Sequence, residues 1–267
     1  MKFSIVTPSF NQADFIAETI ESVLSQKGNF EIEYIVQDGG SKDKTIQIIK
    51  RFAKKVKAGD YKGQNNSVEF YYKSQKDKGQ SDAINQGLKR ATGDIIAYIN
   101  SDDTYCPNAF RKVSAAFSKE PDKKWLTGYC RIVDENGKKI QKPVVNYKNF
   151  FLNRYSRRKL LILNFISQPS TFWRKDLLKK IGVMDEKLHY TMDYDYCLRL
   201  SEASRPAVIK DYLSCFRIHS SSKGRLDYIK QFNQDLETCQ KYTKSNFTIF
   251  LHKLHNQLIK SAYKIIK

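Results

Sequence analysis

Over the first hundred positions, short unbroken apolar stretches alternate with apolar residues spaced three and four apart. Phe3-Ser4-Ile5-Val6, Glu33-Tyr34-Ile35-Val36, Val68-Glu69-Phe70-Tyr71-Tyr72 and Ile95-Ile96-Ala97-Tyr98-Ile99 have the length and branching of buried strands. Between them, Phe15, Ile16, Ile20, Val23 and Leu24, and later Ile46, Ile48, Ile49, Phe52 and Val56, recur at helical spacing. A third helix is predicted over residues 82–91, closed by Thr92-Gly93. Strand alternating with helix predicts an α/β fold, a mostly parallel central sheet flanked by helices, with sites at the carboxyl ends of its strands.

The pattern changes after about residue 105. A helix is predicted near 108–118, then two strands, Trp125–Ile132 and Lys138–Val145, joined into a hairpin by Asp134-Glu135-Asn136-Gly137. A helix near 193–204 and a strand near 207–218 follow. The C-terminal segment is amphipathic. Phe247, Phe250, Leu251, Leu254, Leu258, Ile259, Ala262, Ile265 and Ile266 share one side, and Lys253, Lys260, Lys264 and Lys267 gather on the other. Such a helix suits an anionic membrane surface, and equally suits docking on its own domain or on a second subunit of a dimer.

Composition narrows the class. Of 267 residues 40% are hydrophobic and 13% aromatic, too many for a disordered chain, and no run approaches a membrane span. The N-terminus meets Pro8 after a short strand, without the long apolar region of a signal peptide, so a cytoplasmic protein is expected. Five cysteines (106, 130, 197, 215, 239) without a CxxC pair read as reduced, mostly buried thiols. The formal charge of +19 calls for a polyanionic partner: nucleic acid, anionic membrane or a phosphate-bearing substrate. Over 151–180, Arg154, Arg157, Arg158, Lys159, Arg174, Lys175, Lys179 and Lys180 stand against one acid, Asp176. No zinc-finger spacing, RNP-like string or arginine-rich helix favours nucleic acid.

Acidic residues at strand and helix ends carry the candidate chemistry. Asp38 follows the second strand and precedes Gly39-Gly40-Ser41, where it either meets a ligand or caps a turn. Asp102 and Asp103, adjacent after the fourth strand, repel one another unless a cation or a hydroxyl network compensates them; a hard divalent ion bridging to phosphates would do so. Asp193 and Asp195 open a helix, where the dipole alone favours acids. They point about 200° apart, so one of them at most faces a site as a general base. His219 opens a polar loop whose neighbours are able to bind phosphate.

Together these segments resemble glycosyltransferase family 2 enzymes of the GT-A fold. The residues that carry the likeness are Ser4-Ile5-Val6-Thr7-Pro8-Ser9-Phe10-Asn11-Gln12, Thr19 to Gln26, Ile35-Val36-Gln37-Asp38-Gly39-Gly40-Ser41, Asp77-Lys78-Gly79-Gln80-Ser81-Asp82, Ala91 to Asp103, Gln168 to Arg174, Ile181 to Asp185 and Met192 to Arg199. The resemblance covers about residues 1–220. It implies a Rossmann-like catalytic domain over 1–225, with a nucleotide-sugar-binding half (1–105) and an acceptor half (106–225), and a C-terminal amphipathic helical appendage over 226–267.

It further implies an inverting transferase that uses a nucleotide-sugar donor, a UDP-sugar in the first instance, with Mn²⁺ or Mg²⁺. Thr7, Pro8, Ser9 and Phe10 would hold the nucleoside and Asp38 its base. Asp102 would reach the ribose or metal, Asp103 would be the principal metal ligand of a DXD-type motif, and His219 would bind metal or diphosphate. Asp193 matches the catalytic base, although Met192 stands where the family often has Glu. Ala83-Ile84-Asn85 replaces the frequent Ala-Arg-Asn, which shifts diphosphate charge onto Lys78, Lys223 or the metal, and Asp82 would contact the donor sugar. By analogy the acceptor is a polyprenyl-diphosphate-linked saccharide of a cell-surface polysaccharide pathway, with the protein peripheral on the inner face of the plasma membrane. A nucleotidyltransferase of related fold would use similar acids, but Thr7-Pro8-Ser9-Phe10-Asn11 stands where its glycine-rich loop would be.

Overall fold

A computed structural model describes residues 1–220, 222 and 228–266. The chain runs β1 (Lys2–Ser9), α1 (Ile16–Leu24), β2 (Glu31–Asp38), α2 (Thr45–Ala58), β3 (Ser67–Ser74), α3 (Gln80–Arg90), β4 (Ile95–Tyr98), β5 (Thr104–Tyr105), α4 (Ala109–Lys119), β6 (Trp125–Val133), α5 (Lys142–Asn153), α6 (Arg157–Leu163), a 3-10 turn (Gln168–Ser170), β7 (Thr171–Arg174), α7 (Lys175–Ile181), α8 (Met192–Ala203), β8 (Ala207–Arg217), α9 (Tyr228–Tyr242) and α10 (Asn246–Ile266).

Eight strands form one mixed sheet in the order β3-β2-β1-β4-β7-β6-β8-β5. The strands expected from the first hundred residues make its parallel half, with β1 between β2 and β4 and β3 outside β2. The other half is mixed: β7 runs antiparallel to β4 and β6, whereas β6 and β8 are parallel. Alternation along the strands divides the core. Phe3 and Ile5 of β1 and Ile95, Ala97 and Ile99 around β4 point to the face covered by α1, α2 and α4, with Phe30, Phe110 and Phe172. Val6, Ile96 and Tyr98 point to the other, packed by Ile84 and Leu88 of α3, the two tryptophans and α8. α3 lies so close to β1 that a Cβ on Gly87 would collide with the Val6 side chain.

The expected hairpin is not formed. Gly137 takes φ +78° and Asp134 closes the turn through Asn136 and Lys138 N–H, but Val133 and Lys139 make only an isolated bridge. Lys138–Val145 is not a strand: Pro143 has no N–H for a ladder and fits the first turn of a helix, so α5 begins at Lys142.

The C-terminal helices pack back on the fold: α9 contacts α8, and α10 lies along α6 and α9. The face buried differs from the one the apolar pattern suggests. Thr248, His252 and Asn256 of α10 are buried, whereas Phe247, Phe250, Leu254 and Leu258 are exposed. Among the described residues no helix is long and apolar enough to cross a membrane.

Candidate active site

Because β1, β2 and β4 are parallel, their carboxyl ends open on one edge of the sheet. The register sets Ser9 beside Asp38 and Asp38 beside Ser74. Asp38 is buried, and its carboxylate accepts from Gly40 N–H (3.1 Å), Ser41 N–H (2.9 Å), Ser41 Oγ (2.5 Å) and Ser74 Oγ (2.6 Å). It therefore folds the glycine turn around itself. That turn lies under the next loop: a Cβ on Gly39 would stand 2.8 Å from Asp77 Oδ2. Thr7 accepts from Tyr34 OH at 3.0 Å, and Pro8 is buried. Ser9 Oγ is buried with no partner among the described residues. Phe10, at the tip of the strand, is 58% exposed. An unpaired buried hydroxyl beside an exposed aromatic ring is what a strand end built for a planar polar ligand would offer.

The acidic turn after β4 is held by residues remote in sequence. Asp103 is buried, and its oxygens accept from Arg217 N–H at 2.9 Å and Asn100 Nδ2 at 3.3 Å. Burial, and next the charge of Asp102, push its carboxyl well above the usual range, while the Arg217 N–H works the other way. Asp102 is partly exposed, and its Oδ2 lies 3.0 Å from His219 Nε2. The Phe15 ring packs on this imidazole with centroids 4.6 Å apart, and the Arg217 guanidinium lies over the same Phe15 ring, 5.1 Å from its centroid. Arg217 and Phe15 had no place among the sequence candidates. Arg217 sits beside His219 in a stretch that reads as phosphate-binding, yet it is itself buried.

The N-terminus of α3 joins this turn to α8. Gln80 Nε2 donates to Asn100 Oδ1 at 2.7 Å, and Ser81 Oγ donates to the Met192 sulfur at 2.8 Å. Asp82 Oδ2 accepts from Lys78 N–H (3.0 Å) and Gln86 Nε2 (3.1 Å), so it organises the first turn of α3; the Lys78 side chain is exposed. Ile84 is fully buried in the core, and Lys223 lies outside the described residues.

The two acids of α8 have different surroundings. Asp195 is buried, paired with Arg199 at 2.9 Å and accepting from Tyr242 OH of α9 at 2.6 Å. Asp193 keeps some exposure, and the hydrogen bond it accepts comes from the adjacent Tyr194 N–H (2.8 Å). Burial raises its pKa, opposed by that N–H and by the Lys148 ammonium of α5. Lys148, another residue the sequence did not single out, thus favours the ionised carboxylate. The loop before Asp193 is braced from α9, where Gln234 Oε1 accepts from Tyr190 and Thr191 N–H at 2.7 and 3.1 Å.

Among the described residues no three His, Cys, Asp or Glu side chains converge as a metal cage. Asp102 Oδ2 and His219 Nε2 are nevertheless oxygen and nitrogen donors 3.0 Å apart, a separation that neighbouring ligands of one divalent ion also have. The pair fits an ion that draws its remaining ligands from phosphate and water.

The sequence model for glycosyl transferase family 2 matches residues 4–182, more than half of the chain and inclusive of both strand-end turns. The chain belongs to glycosyl transferase family 2. An uncharacterized glycosyltransferase of Rickettsia typhi is 29% identical over 229 residues, which cover 82% of this chain and 64% of the relative. The chain thus spans under two thirds of that relative's length. An uncharacterized glycosyltransferase of Mycobacterium tuberculosis is 29% identical over 80% of this chain and 74% of its own. Among solved structures, S. aureus TarS 1-349 in complex with UDP-GlcNAc aligns with TM-score 0.64 at 19% identity, covering 96% of this chain and 71% of that one. The mannosyltransferase PcManGT from Pyrobaculum calidifontis, in complex with GDP-Man and Mn²⁺, aligns with TM-score 0.66 at 15% identity, covering 95% and 68%. These likenesses establish the GT-A fold for the family 2 chain.

Proposed function

We propose that the chain transfers a sugar, with inversion, from a nucleotide diphosphate sugar to an acceptor hydroxyl. The observation that carries this reading is the placement of one uncommitted acid, Asp193, across α3 from a strand-end edge that gathers Ser9, Asp38 and the Asp102–His219 pair. The nucleoside lies along Thr7, Pro8, Ser9 and Phe10, with Ser9 Oγ and the Asp38 turn as its polar contacts. Asp102 and His219 would hold Mn²⁺ or Mg²⁺, with Asp103 as the adjoining acid, and Asp82 would lie towards the donor sugar. The bound ion would offset charge on the departing diphosphate. Lys78 and Lys148 are cations able to share that charge where the family arginine is replaced by Ile84.

Asp193 takes the proton from the acceptor hydroxyl. Its raised pKa brings its basicity nearer to the working pH, which favours proton removal in the transition state. The solved neighbours carry UDP-GlcNAc in one case and GDP-Man with Mn²⁺ in the other, which supports a nucleotide-sugar donor with a divalent ion. For the acceptor we favour a saccharide on a polyprenyl diphosphate, in cell-surface polysaccharide synthesis. That acceptor places the protein against the inner face of the plasma membrane.

The test is a donor screen with UDP- and GDP-sugars and Mn²⁺, reading nucleoside diphosphate release. Turnover of one donor by the wild type, abolished in Asp193→Asn with donor binding retained, is the expected result. Pyrophosphate release in place of nucleoside diphosphate would overturn it in favour of nucleotidyl transfer.

A further inference from the structure

Helix α10 carries its polarity inside out. Thr248, His252 and Asn256 are buried, while Phe247 (57% exposed), Phe250 (59%), Leu254 (43%) and Leu258 (62%), spaced three and four residues apart, form an outward apolar stripe. The inner stripe fixes this orientation. His252 Nδ1 lies 2.7 Å from Leu161 O and its Nε2 3.1 Å from Asp235 Oδ2, and Asn256 Nδ2 donates to Phe232 O at 3.2 Å. A rotation that hid the apolar stripe would strand these groups, so the exposure is enforced by the fold.

The stripe continues onto α5. Tyr147 OH lies 2.8 Å from His255 Nε2, which sets α5 beside α10 and brings up Phe150, itself 51% exposed. Cations border these rings: the Arg154 guanidinium is 4.2 Å from the Phe150 centroid and that of Arg158 is 5.6 Å from Phe247. The sequences of α5, α6 and α10 contain no Asp or Glu, whereas Lys142, Arg154, Arg158, Lys159 and Lys253 lie on or between them.

We propose that this face of α10 and α5 docks on an anionic lipid bilayer, with the rings and leucines at acyl depth and the cations at headgroup level. The proposal deepens the membrane placement given above and rests on that reading. Charge selects the occupant. A second copy meeting the same face would set these cations against their own counterparts, with no acid from the three helices to receive them. An anionic bilayer satisfies both the stripe and its rim. The surface also adjoins the site: the His252 ring on the inner side of α10 lies 6.4 Å, centroid to centroid, from the ring of Tyr194, the residue next to Asp193. A lipid-linked acceptor would then be presented beside the base.

Flotation of the full chain with phosphatidylglycerol or phosphatidylcholine vesicles tests this, with the double variant Phe250→Glu/Leu254→Glu alongside. Both positions are exposed, and an unchanged thermal midpoint checks their folding. The wild type is expected to float with phosphatidylglycerol and much less with phosphatidylcholine, losing binding as salt is raised, and the variant to partition at least about tenfold more weakly. Equal flotation of the two proteins, or no flotation of the wild type, overturns the proposal. So does a wild-type dimer in gel filtration that the variant converts to monomer without a change in vesicle binding. Nucleoside diphosphate release measured without vesicles reports on the transferase reading separately, and the double variant is expected to leave it unchanged.

Discussion

Arg217 donates its backbone N–H to Asp103 Oδ1 at 2.9 Å across 114 positions of sequence. Its guanidinium donates to Asp102 O at 2.9 Å, to Glu135 O at 2.7 Å and to Glu18 Oε2 at 2.5 Å. One side chain at the end of β8 thereby ties the acidic turn, the 134–137 turn and α1 together, and positions His219 two residues on.

Replacing Arg217 by Lys keeps a charge but loses the planar fork, leaving buried carbonyl oxygens without donors. We expect a loss of about 2–3 kcal/mol in urea unfolding. A rise in the Mn²⁺ concentration needed for donor binding should accompany it, because the Asp102–His219 geometry depends on the same anchor. Unchanged unfolding would mean that the turn holds its shape without Arg217.

Asp193→Asn preserves shape and removes the proposed base. Turnover should fall by roughly 10²–10⁴, with donor affinity unaltered by calorimetry. A weakened donor affinity at normal turnover would instead make Asp193 a binding residue.

Asp102→Asn and His219→Ala should each raise the Mn²⁺ concentration for half-maximal donor binding by about tenfold or more, as loss of one ligand from a small donor set does. Phe15→Leu, which removes only the ring packed on His219, should shift it less. Identical metal titrations in all four proteins would sink the assignment.

The parallel half of the fold was legible because β1, β2 and β4 are buried on both faces and read as nearly unbroken apolar runs, and the half-exposed edge strand β3 by its aromatic and branched residues; β1, β2 and β3 extend a few residues beyond the pattern and β4 ends one residue earlier. Residues 138–145 were misread since alternation alone says nothing of Pro143, whose fixed φ starts a helix. The sequence also drew attention to residues that now lie around one edge, Ser9, Asp38 and Asp102. It missed Arg217, Phe15 and Lys148 because their roles depend on partners remote in sequence. In α10 the period was readable, but the side that turns inward is decided by Asp235 and Leu161 O, neither of which belongs to the helix.

Gly87 tests how tightly α3 is seated on β1. Gly87→Ala would force its new methyl into Val6, and about 1–3 kcal/mol of destabilisation is expected by chemical unfolding, against the gain that Ala normally brings to a helix interior. A stabilised variant would show that α3 can lift from the sheet at little cost.

His252 provides a pH signature. Burial works to lower its pKa, but the hydrogen bond and charge of Asp235, with further help from Cys239 and Leu161 O, outweigh it and lift the value from 6.5 to about 10. Since the folded value exceeds the unfolded one, the protonated pair stabilises the fold fully below pH about 6.5, and that contribution fades as pH rises towards 10. Asp235→Asn removes the charge that sustains it. The wild type should therefore be more stable than the variant, on the order of a few kcal/mol, at neutral pH and below. The gap in unfolding free energy should narrow steadily between pH 7 and 10. A gap independent of pH over that range would show that His252 is neutral in the fold and that Asp235 acts only through its hydrogen bond from Asn164 Nδ2 at 3.2 Å.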